Sequence, residues 1–346
     1  MTGSPPEASP SLVNRFAGRR ATIDDVAAHA GVSKTTVSHV LSGRRPVAAE
    51  TRERVQDAIV ELGYRPDGIA RSLRTRRSHL VALLIPDISN PFYPVLARGL
   101  EAGLAAAGYH VVICNTDSDP GRELAFVADM SDRRIDGLVL DSFSLAVDQL
   151  RTIAGPLPVV WIGAEREDHP EVDVVRSDDE QGACDATAHL LARGRRCVAM
   201  IDGSPGSGTP RTHGYLRALT SAHEPRPPLI RHGGWTREGG AKAMLELLDL
   251  DPRPDAVFCA NDLMAIGAVD AIRERGLRVP SDVAVAGFDD IDAASMVRPP
   301  LTSVVNPAYE TGRVAGGLLV DRMAGAYEGP QRAVTLPCRL VERASS

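Results

Sequence analysis

The stretch "ATIDDVAAHAGVSKTTVSHVLSG", Ala21 to Gly43, carries two short apolar patterns at helical spacing on either side of a glycine. Val26, Ala27 and Ala30 fall on one face of a first helix, and Val32, Val37 and Val40 form the inner face of a second. Gly31 between them is free to take a positive φ, so the chain can turn sharply there. The small side chains at Ala27 and Gly31 let the two helices cross closely at a steep angle, which is the geometry of a helix-turn-helix. Ser33 is the expected N-cap of the second helix. Lys34, Thr35, Thr36, Ser38 and His39 point away from the inner valines, near the end of the helix that reaches base edges and phosphates in a duplex. On a lone helix the same residues would be a solvated face; the turn beside them favours a DNA reader.

A third helix follows in "AAETRERVQDAIVELGY", with Val55, Ala58, Ile59 and Leu62 at helical spacing to complete a small core. Next comes "RPDGIARSLRTRRSH", where Ile69, Ala70 and Leu73 line one face amid Arg65, Arg71, Arg74, Arg76 and Arg77. An isolated helix this short is marginal in water. It is therefore expected to be ordered by a partner, with arginines on phosphates and Leu73 as an apolar wedge in a minor groove. An ordinary basic linker is the other reading of these residues.

Charge divides the chain in the same place. Residues 19–77 hold 12 Arg and Lys against 7 Asp and Glu, whereas residues 78–346 hold 26 against 37. A basic head on an acidic body points to a polyanion as the head's partner. The opening "MTGSPPEASPSLVNRF" has Pro and Ser where a signal peptide needs an apolar core, and reads as a disordered leader. No apolar run reaches the ~18 residues of a membrane span. The 5 cysteines lie far apart, without metal-site or disulfide-framework spacing. A cytoplasmic, nucleoid-associated protein with no membrane partner is expected.

From His79 onward, short apolar runs such as "LVALLI", "YHVVIC", "GLVLD", "LPVVWI", "RCVAMI", "DAVFCA" and "DVAVAGF" alternate with helical stretches. That alternation indicates βαβ units and doubly wound parallel sheets. About ten strands are too many for one comfortable sheet, so two similar α/β lobes with a cleft between them are expected.

Read together, the helix-turn-helix, "TRERVQDAIVELGYRPDGIARSLRT", "LIPDISNPFY", "AND", "VAGFDD" and "PPLTSVVNP" resemble the lactose/galactose-repressor (LacI/GalR) family of bacterial regulators, from about Ala21 to Pro337. The resemblance implies a three-helix DNA-binding head, a hinge helix, and a two-lobed core like that of periplasmic sugar-binding proteins. It divides the chain into a leader (1–20), a head (21–66), a hinge (67–78) and a core (79–346). The N-lobe would take about 79–176 and 306–335, and the C-lobe about 177–305 and 336–346. It implies DNA contacts at Thr22, Ser33, Lys34, Thr35, Thr36, Ser38, His39, Arg71, Leu73 and Arg74, with Leu73 inserted at the operator's centre. Two positions depart from the family's habit. His39 stands where Arg is usual, exchanging a two-donor grip on guanine for one donor or acceptor per ring edge. Ala48 stands where the cap of the third helix is commonly Ser, at a cost of ~1 kcal/mol.

Ligands of open α/β sheets sit beyond the carboxyl ends of the strands. At such ends lie Asp87, Asn90, Phe92 and Tyr93, then Asn261 and Asp262, then Asp289 and Asp290. Arg211 opens a helix after the loop "DGSPGSG", and Trp235 lies in the glycine-rich "RHGGWTREGG". Arg and Asp hold vicinal hydroxyls through paired hydrogen bonds while aromatic faces cover C–H surface. The resemblance assigns effector contacts to Phe92, Tyr93, Arg211, Trp235, Asn261 and Asp289; helix caps are an equal reading for Asp262 and Asp290. Gly163 stands where some relatives carry an acid, which leaves the ligand's identity open.

The expected function is a ligand-responsive transcriptional regulator, a repressor that binds a pseudo-palindromic double-stranded operator as a homodimer. A small polar effector such as a sugar would control it, with no cofactor and no metal. A sugar-binding receptor using only the two-lobed core is the alternative; the basic head and the opening residues count against it. No dinucleotide G-x-G-x-x-G, P-loop or G-x-S-x-G nucleophile elbow supports an enzyme. Leu96, Leu100 and Leu104 resemble the family's subunit-contact helix, although packing on their own sheet explains the spacing equally well. The ending "LVERASS" has no leucine heptads, so a coiled-coil tetramer is not expected.

Overall fold

In the computed structural model, which describes residues 21–43, 45–64, 77–141, 145–163, 172–203, 209–223 and 227–346, the chain divides between Ser78 and His79 into two units. The expected leader and most of the expected hinge, including Arg71, Leu73 and Arg74, lie outside the described residues.

The first unit is built from α1 (Ile23–Ala30), α2 (Lys34–Ser42) and α3 (Ala49–Glu61). Thr22 caps α1 in a box: its hydroxyl accepts from the Asp25 N–H, and the Asp25 carboxylate accepts the Thr22 N–H at 2.8 Å. Gly31 ends α1 at φ +63°, and the Val32 N–H closes back on the Ala27 carbonyl at 3.0 Å. That closure is the left-handed C-cap expected of glycine at a sharp turn. Ser33 caps α2, its hydroxyl accepting the Thr36 N–H at 3.1 Å. Val26, Ala27, Ala30, Val37, Val55 and Ala58 are buried together, with Val32, Val40, Ile59 and Leu62 packed against them. His29 on α1 meets Glu61 at the end of α3, 2.7 Å away.

The second unit holds two six-stranded sheets. Strands β1 (Leu80–Ile85), β2 (His110–Asn115), β3 (Gly137–Leu140), β4 (Val159–Ile162), β5 (Asp173–Ser177) and β11 (Ala333–Leu336) form one, in the order β11-β5-β4-β3-β1-β2 and wholly parallel. Strands β6 (Val198–Asp202), β7 (Leu229–His232), β8 (Ala256–Cys259), β9 (Ala284–Asp289), β10 (Thr302–Val305) and β12 (Arg339–Val341) form the other, in the order β12-β10-β9-β8-β6-β7, with only β12 antiparallel. Helices α4 (Phe92–Ala105), α5 (Pro120–Asp132), α6 (Val147–Ala154) and α12 (Ala308–Met323) cover the first sheet. Helices α7 (Asp179–Ala192), α8 (Pro210–Ser221), α9 (Arg237–Leu248) and α10 (Asp262–Glu274) cover the second, with the short α11 (Asp292–Met296) at one end.

The described residues contain twelve strands rather than about ten. The additions include β11 and β12, whose partly exposed patterns lack a continuous apolar run. β5 is broken in sequence by Asp173 and Arg176; Asp173 is fully buried because Arg322 and Arg332 clasp it at 2.6 and 2.7 Å. Leu96, Leu100 and Leu104 are also fully buried, in their own lobe's core. The local reading of that stripe is therefore the right one, and the outward face of α4 is represented by Val95.

The chain crosses between the lobes after β5, after β10 and after β11. The crossings are bonded to one another: the Ser177 hydroxyl donates to the Asn306 side-chain oxygen at 2.6 Å, and the Asp178 N–H to the Leu336 carbonyl at 2.8 Å.

Ala48 makes no side-chain cap on α3. Ala48→Ser is expected to stabilise the head by about 0.5–1 kcal/mol. Slower hydrogen exchange of the first amides of α3 would register the gain; unchanged exchange would show that the α3 terminus is already satisfied.

Candidate ligand cleft and head surface

The carboxyl ends of strands from both sheets face a cavity of about 1160 Å³. Its N-lobe wall includes Asp87, Asn90, Phe92, Tyr93 and Asp141, and its C-lobe wall includes Asp179, Arg211, Trp235 and Asp289. Ser177 and Asn306, from two of the crossings, line it as well.

Arg211 is positioned by the start of α8. Pro210 occupies the first turn, where its missing N–H costs nothing, and Thr209 caps the helix by accepting the Thr212 N–H at 3.2 Å. The buried Asp202 at the end of β6 anchors that turn, accepting the Thr212 hydroxyl at 2.6 Å and the Gly203 N–H at 2.7 Å. Arg211 Nε then donates to Asp179 Oδ2 at 3.0 Å, Nη1 donates to the Ala260 carbonyl, and Nη2 lies 3.4 Å from Asp289 Oδ1. The guanidinium stacks 3.8 Å from the centre of the Phe288 ring. Burial works against its charge, but Asp179 and Asp289 outweigh burial and raise its pKa. It is a permanent cation in the cleft wall.

Asp289 ends β9 at φ +102°, and Asn306 Nδ2 donates to its Oδ1 at 3.1 Å. Burial pushes its carboxyl up to about 6, against the pull of Arg211 and the Asn306 hydrogen bond. Across the cleft, the Tyr93 hydroxyl donates to Asp141 Oδ2 at 3.0 Å. Burial lifts Asp141 to about 7 despite that hydrogen bond and the charge of Arg211. Burial first, then Asp141, raises the Tyr93 phenol well above its ordinary value. Phe92 packs edge-on against Tyr93 with ring centres 5.2 Å apart.

Trp235 has φ +65° directly after Gly234 at +60°, a backbone that a bulky residue adopts only when its surroundings impose it. The Gly234 N–H donates to the Gly203 carbonyl at 2.7 Å, and Asn261 Nδ2 donates to the Trp235 carbonyl at 3.0 Å. A Cβ at Gly203 would overlap the indole, so that glycine is what lets Trp235 lie where it does.

The structure brings Phe92, Tyr93, Arg211, Trp235 and Asp289 to one cavity, but not Asn261. Asn261 is almost fully buried, and its side-chain oxygen accepts the Met264 N–H at 2.9 Å as the cap of α10. Its part is to brace Trp235 from behind. Asp262 and Asp290 are neither caps nor cleft residues. Asp262 is fully buried, accepting the Ser303 hydroxyl at 2.6 Å and the Ile291 N–H at 2.9 Å, and burial raises its pKa well above the carboxylate range. Asp290 pairs with Arg343 at 2.6 Å. Gly163 lines the cleft at φ +105°, in the region that favours glycine.

The sequence reading missed Asp141, Asp179, Ser177 and Asn306. Asp141 follows the apolar run "GLVL" and is within reach of the strand-end rule; Ser177 closes "DVVRS", with Asp179 just beyond it, and Asn306 follows "TSVV", two strands that do not stand out as apolar runs. On the head, Ser33, Lys34 and Thr35 are exposed, while Thr36, Ser38 and His39 are half-buried. Lys34 Nζ lies 2.5 Å from Asp24, and Thr22 is occupied as a cap. Among the described residues, no group of three His, Cys, Asp or Glu side chains is arranged to hold a metal, and no helix is long and apolar enough to cross a membrane.

Residues 22–67 match the family described as bacterial regulatory proteins, lacI family, and residues 187–346 match the periplasmic binding protein-like domain. Catabolite control protein A of Priestia megaterium is 38% identical over 307 residues, covering 87% of this chain and 92% of that protein. Among solved structures, the transcriptional regulator CelR–cellobiose complex is 35% identical with a TM-score of 0.71, covering 94% of this chain and 100% of that one. The Lac repressor dimer bound to operator and the anti-inducer ONPF is 26% identical with a TM-score of 0.84, covering 94% and 99%.

A buried carboxyl lifted from 3.8 to about 7 binds its proton more tightly in the folded state. Its burden on stability is therefore full above pH 7 and is relieved as pH falls toward 4. Asp141→Asn is expected to be more stable than the parent at pH 8, by on the order of 2–4 kcal/mol. Urea denaturation at pH 8 and pH 5.5 should show the difference shrinking on acidification; a constant difference would place the Asp141 pKa outside this window.

Proposed function

The chain belongs to the lacI family of bacterial regulatory proteins, and on that footing we propose how its two units divide the work. The protein is a DNA-binding transcriptional regulator that responds to a small-molecule effector, and it is not an enzyme. The head reads a double-stranded operator through the exposed face of α2, with Ser33, Lys34, Thr35, Thr36, Ser38 and His39 toward the duplex and Thr22 holding the start of α1. Arg71, Leu73 and Arg74 serve the hinge, with the two subunits of a homodimer meeting a pseudo-palindromic site. Its place is the cytoplasm, on the nucleoid, where its DNA partner is.

The effector is a sugar, held by Phe92, Tyr93, Arg211, Trp235 and Asp289. The observation that carries this reading is the make-up of the cleft: both lobes and two of the crossings contribute to its lining. A bound ligand thus acts on the angle between the lobes, and through it on the dimer. Such coupling requires different ligand affinities in the DNA-bound and free states. The cleft slightly exceeds the usual range of about 300–1,000 Å³ for small-molecule pockets, and accepts a ligand as large as the cellobiose of the CelR complex. Aromatic faces at Phe92 and Trp235 suit a pyranose ring, and the Arg211–Asp289 pair suits vicinal hydroxyls.

Selection of bound duplexes from a random library, followed by fluorescence anisotropy, tests the reading. A two-fold related motif should emerge, and affinity should fall steeply with salt, each phosphate contact contributing about 0.9 to the log–log slope. Recovery of no motif would overturn it. His39→Arg is expected to change base preference at about one or two positions per half-site, toward guanine. An identical motif from the variant would show that His39 does not read bases.

A further inference from the structure

The head's surplus of positive charge does not lie on the helix-turn-helix itself. Between Thr22 and Gly43 the only Lys or Arg is Lys34, set against Asp24 and Asp25. Residues 21–64 hold 5 Arg and Lys against 6 Asp and Glu, whereas the flanking residues 19–20 and 65–77 hold 7 against 1. The pull of α1 and α2 on a polyanion therefore depends on whether one ammonium group is free to meet it.

The two aspartates are used differently. Asp25 is committed to the cap of α1, accepting the Thr22 N–H at 2.8 Å and the Thr22 hydroxyl at 2.7 Å. Asp24, one residue earlier in the same turn, reaches across to α2, where its Oδ1 lies 2.5 Å from Lys34 Nζ. Lys34 opens α2, whose first turn carries no acid of its own, and a cation at that end opposes the helix dipole. Asp24 supplies from α1 the anion that α2 lacks. Both side chains are more than half exposed, so the pair adds little to folding and lies within reach of a duplex. A phosphate oxygen arriving at Lys34 competes for the same ammonium protons and meets a fixed carboxylate beside them.

Resting on the reading of the head as the DNA-binding unit, we infer that Asp24 is an affinity-setting residue, an intramolecular competitor that holds Lys34 in the free head and must yield it before a duplex phosphate can pair there. Phosphate contacts position a protein without reading bases. Asp24 thus sets how strongly the head binds and not which sequence it binds, a task left to the other residues of α2.

The test is fluorescence anisotropy of the full chain on the duplex recovered by selection and on a mixed-sequence duplex. Asp24→Asn is expected to tighten binding to both by about threefold to tenfold. It should also steepen the log–log salt dependence by up to about 0.9 for each head that gains a phosphate, and selection with the variant should return the parent's motif. Asp24→Ser, a second neutral residue suited to a first helical turn, should repeat the gain. Asp24→Glu keeps the charge and should stay within about twofold of the parent. In a Lys34→Gln background the gain from Asp24→Asn should shrink to about twofold or less, because the ammonium it frees is gone. Unchanged or weaker binding by the neutral variants, an undiminished gain without Lys34, or an equal gain from Asp24→Glu overturns the inference. A changed motif overturns it too, by assigning Lys34 to a base edge. Failure of the parent to select any motif would instead remove the regulator reading, and the mixed-sequence duplex would still decide the role of Asp24.

Discussion

A guanidinium held out of water needs its charge answered on every side, and Arg211 organises the C-lobe wall of the cleft for that reason. The residues that meet it come from separate pieces of chain. Asp179 comes from the start of α7, the Ala260 carbonyl from the end of β8, and Asp289 and the Phe288 ring from the end of β9. Two strand ends and a helix start are thereby registered against one planar cation. Asp289 passes the constraint on to Asn306, and Asn306 to Ser177, so the ion cluster continues into two of the crossings between lobes. The cation is therefore as much a part of the frame as of the cleft surface.

Much of this frame was legible in the sequence because it rests on local rules. The head follows from helical spacing around one glycine, and its caps at Ser33 and Gly31 are where the residue types put them. The α/β core follows from alternating apolar runs and helices. What escaped were elements whose stability is supplied from a distance. β5 breaks the apolar pattern with Asp173, tolerable only because arginines about 150 residues away in the chain reach back to it. Periodicity along a chain cannot register such a partner.

The candidate site was legible in outline and wrong in detail for a related reason. A polar residue at a strand end faces the ligand, caps the next helix, or braces a neighbouring loop, and its type does not say which. Asn261 does the second and third, Asp262 holds Ser303 and the Ile291 N–H, and Asp290 holds Arg343. Of the two neighbouring carboxylates, Asp289 at φ +102° lines the cleft and Asp290 at φ +51° turns to Arg343. Positive φ at non-glycine residues also marks Trp235. Strain of this kind, on the order of 1–3 kcal/mol per residue, is held in place by surrounding contacts, here the Asn261 amide and the space left by Gly203.

The bonds among the three crossings have a consequence for how the lobes move. Ser177 is tied to Asn306 and Asp178 to Leu336, so the connecting segments are fastened into one narrow spine. Sliding one lobe past the other would stretch those bonds, whereas rotation about the line of the spine leaves their lengths nearly unchanged. A cleft hinged on such a spine would open as a book does, its width varying at the outer edge and staying constant along the binding, where Ser177 and Asn306 stand. The part of a ligand lodged against the spine is measured with a rigid gauge, and only the part toward the edge is met by a jaw of adjustable width.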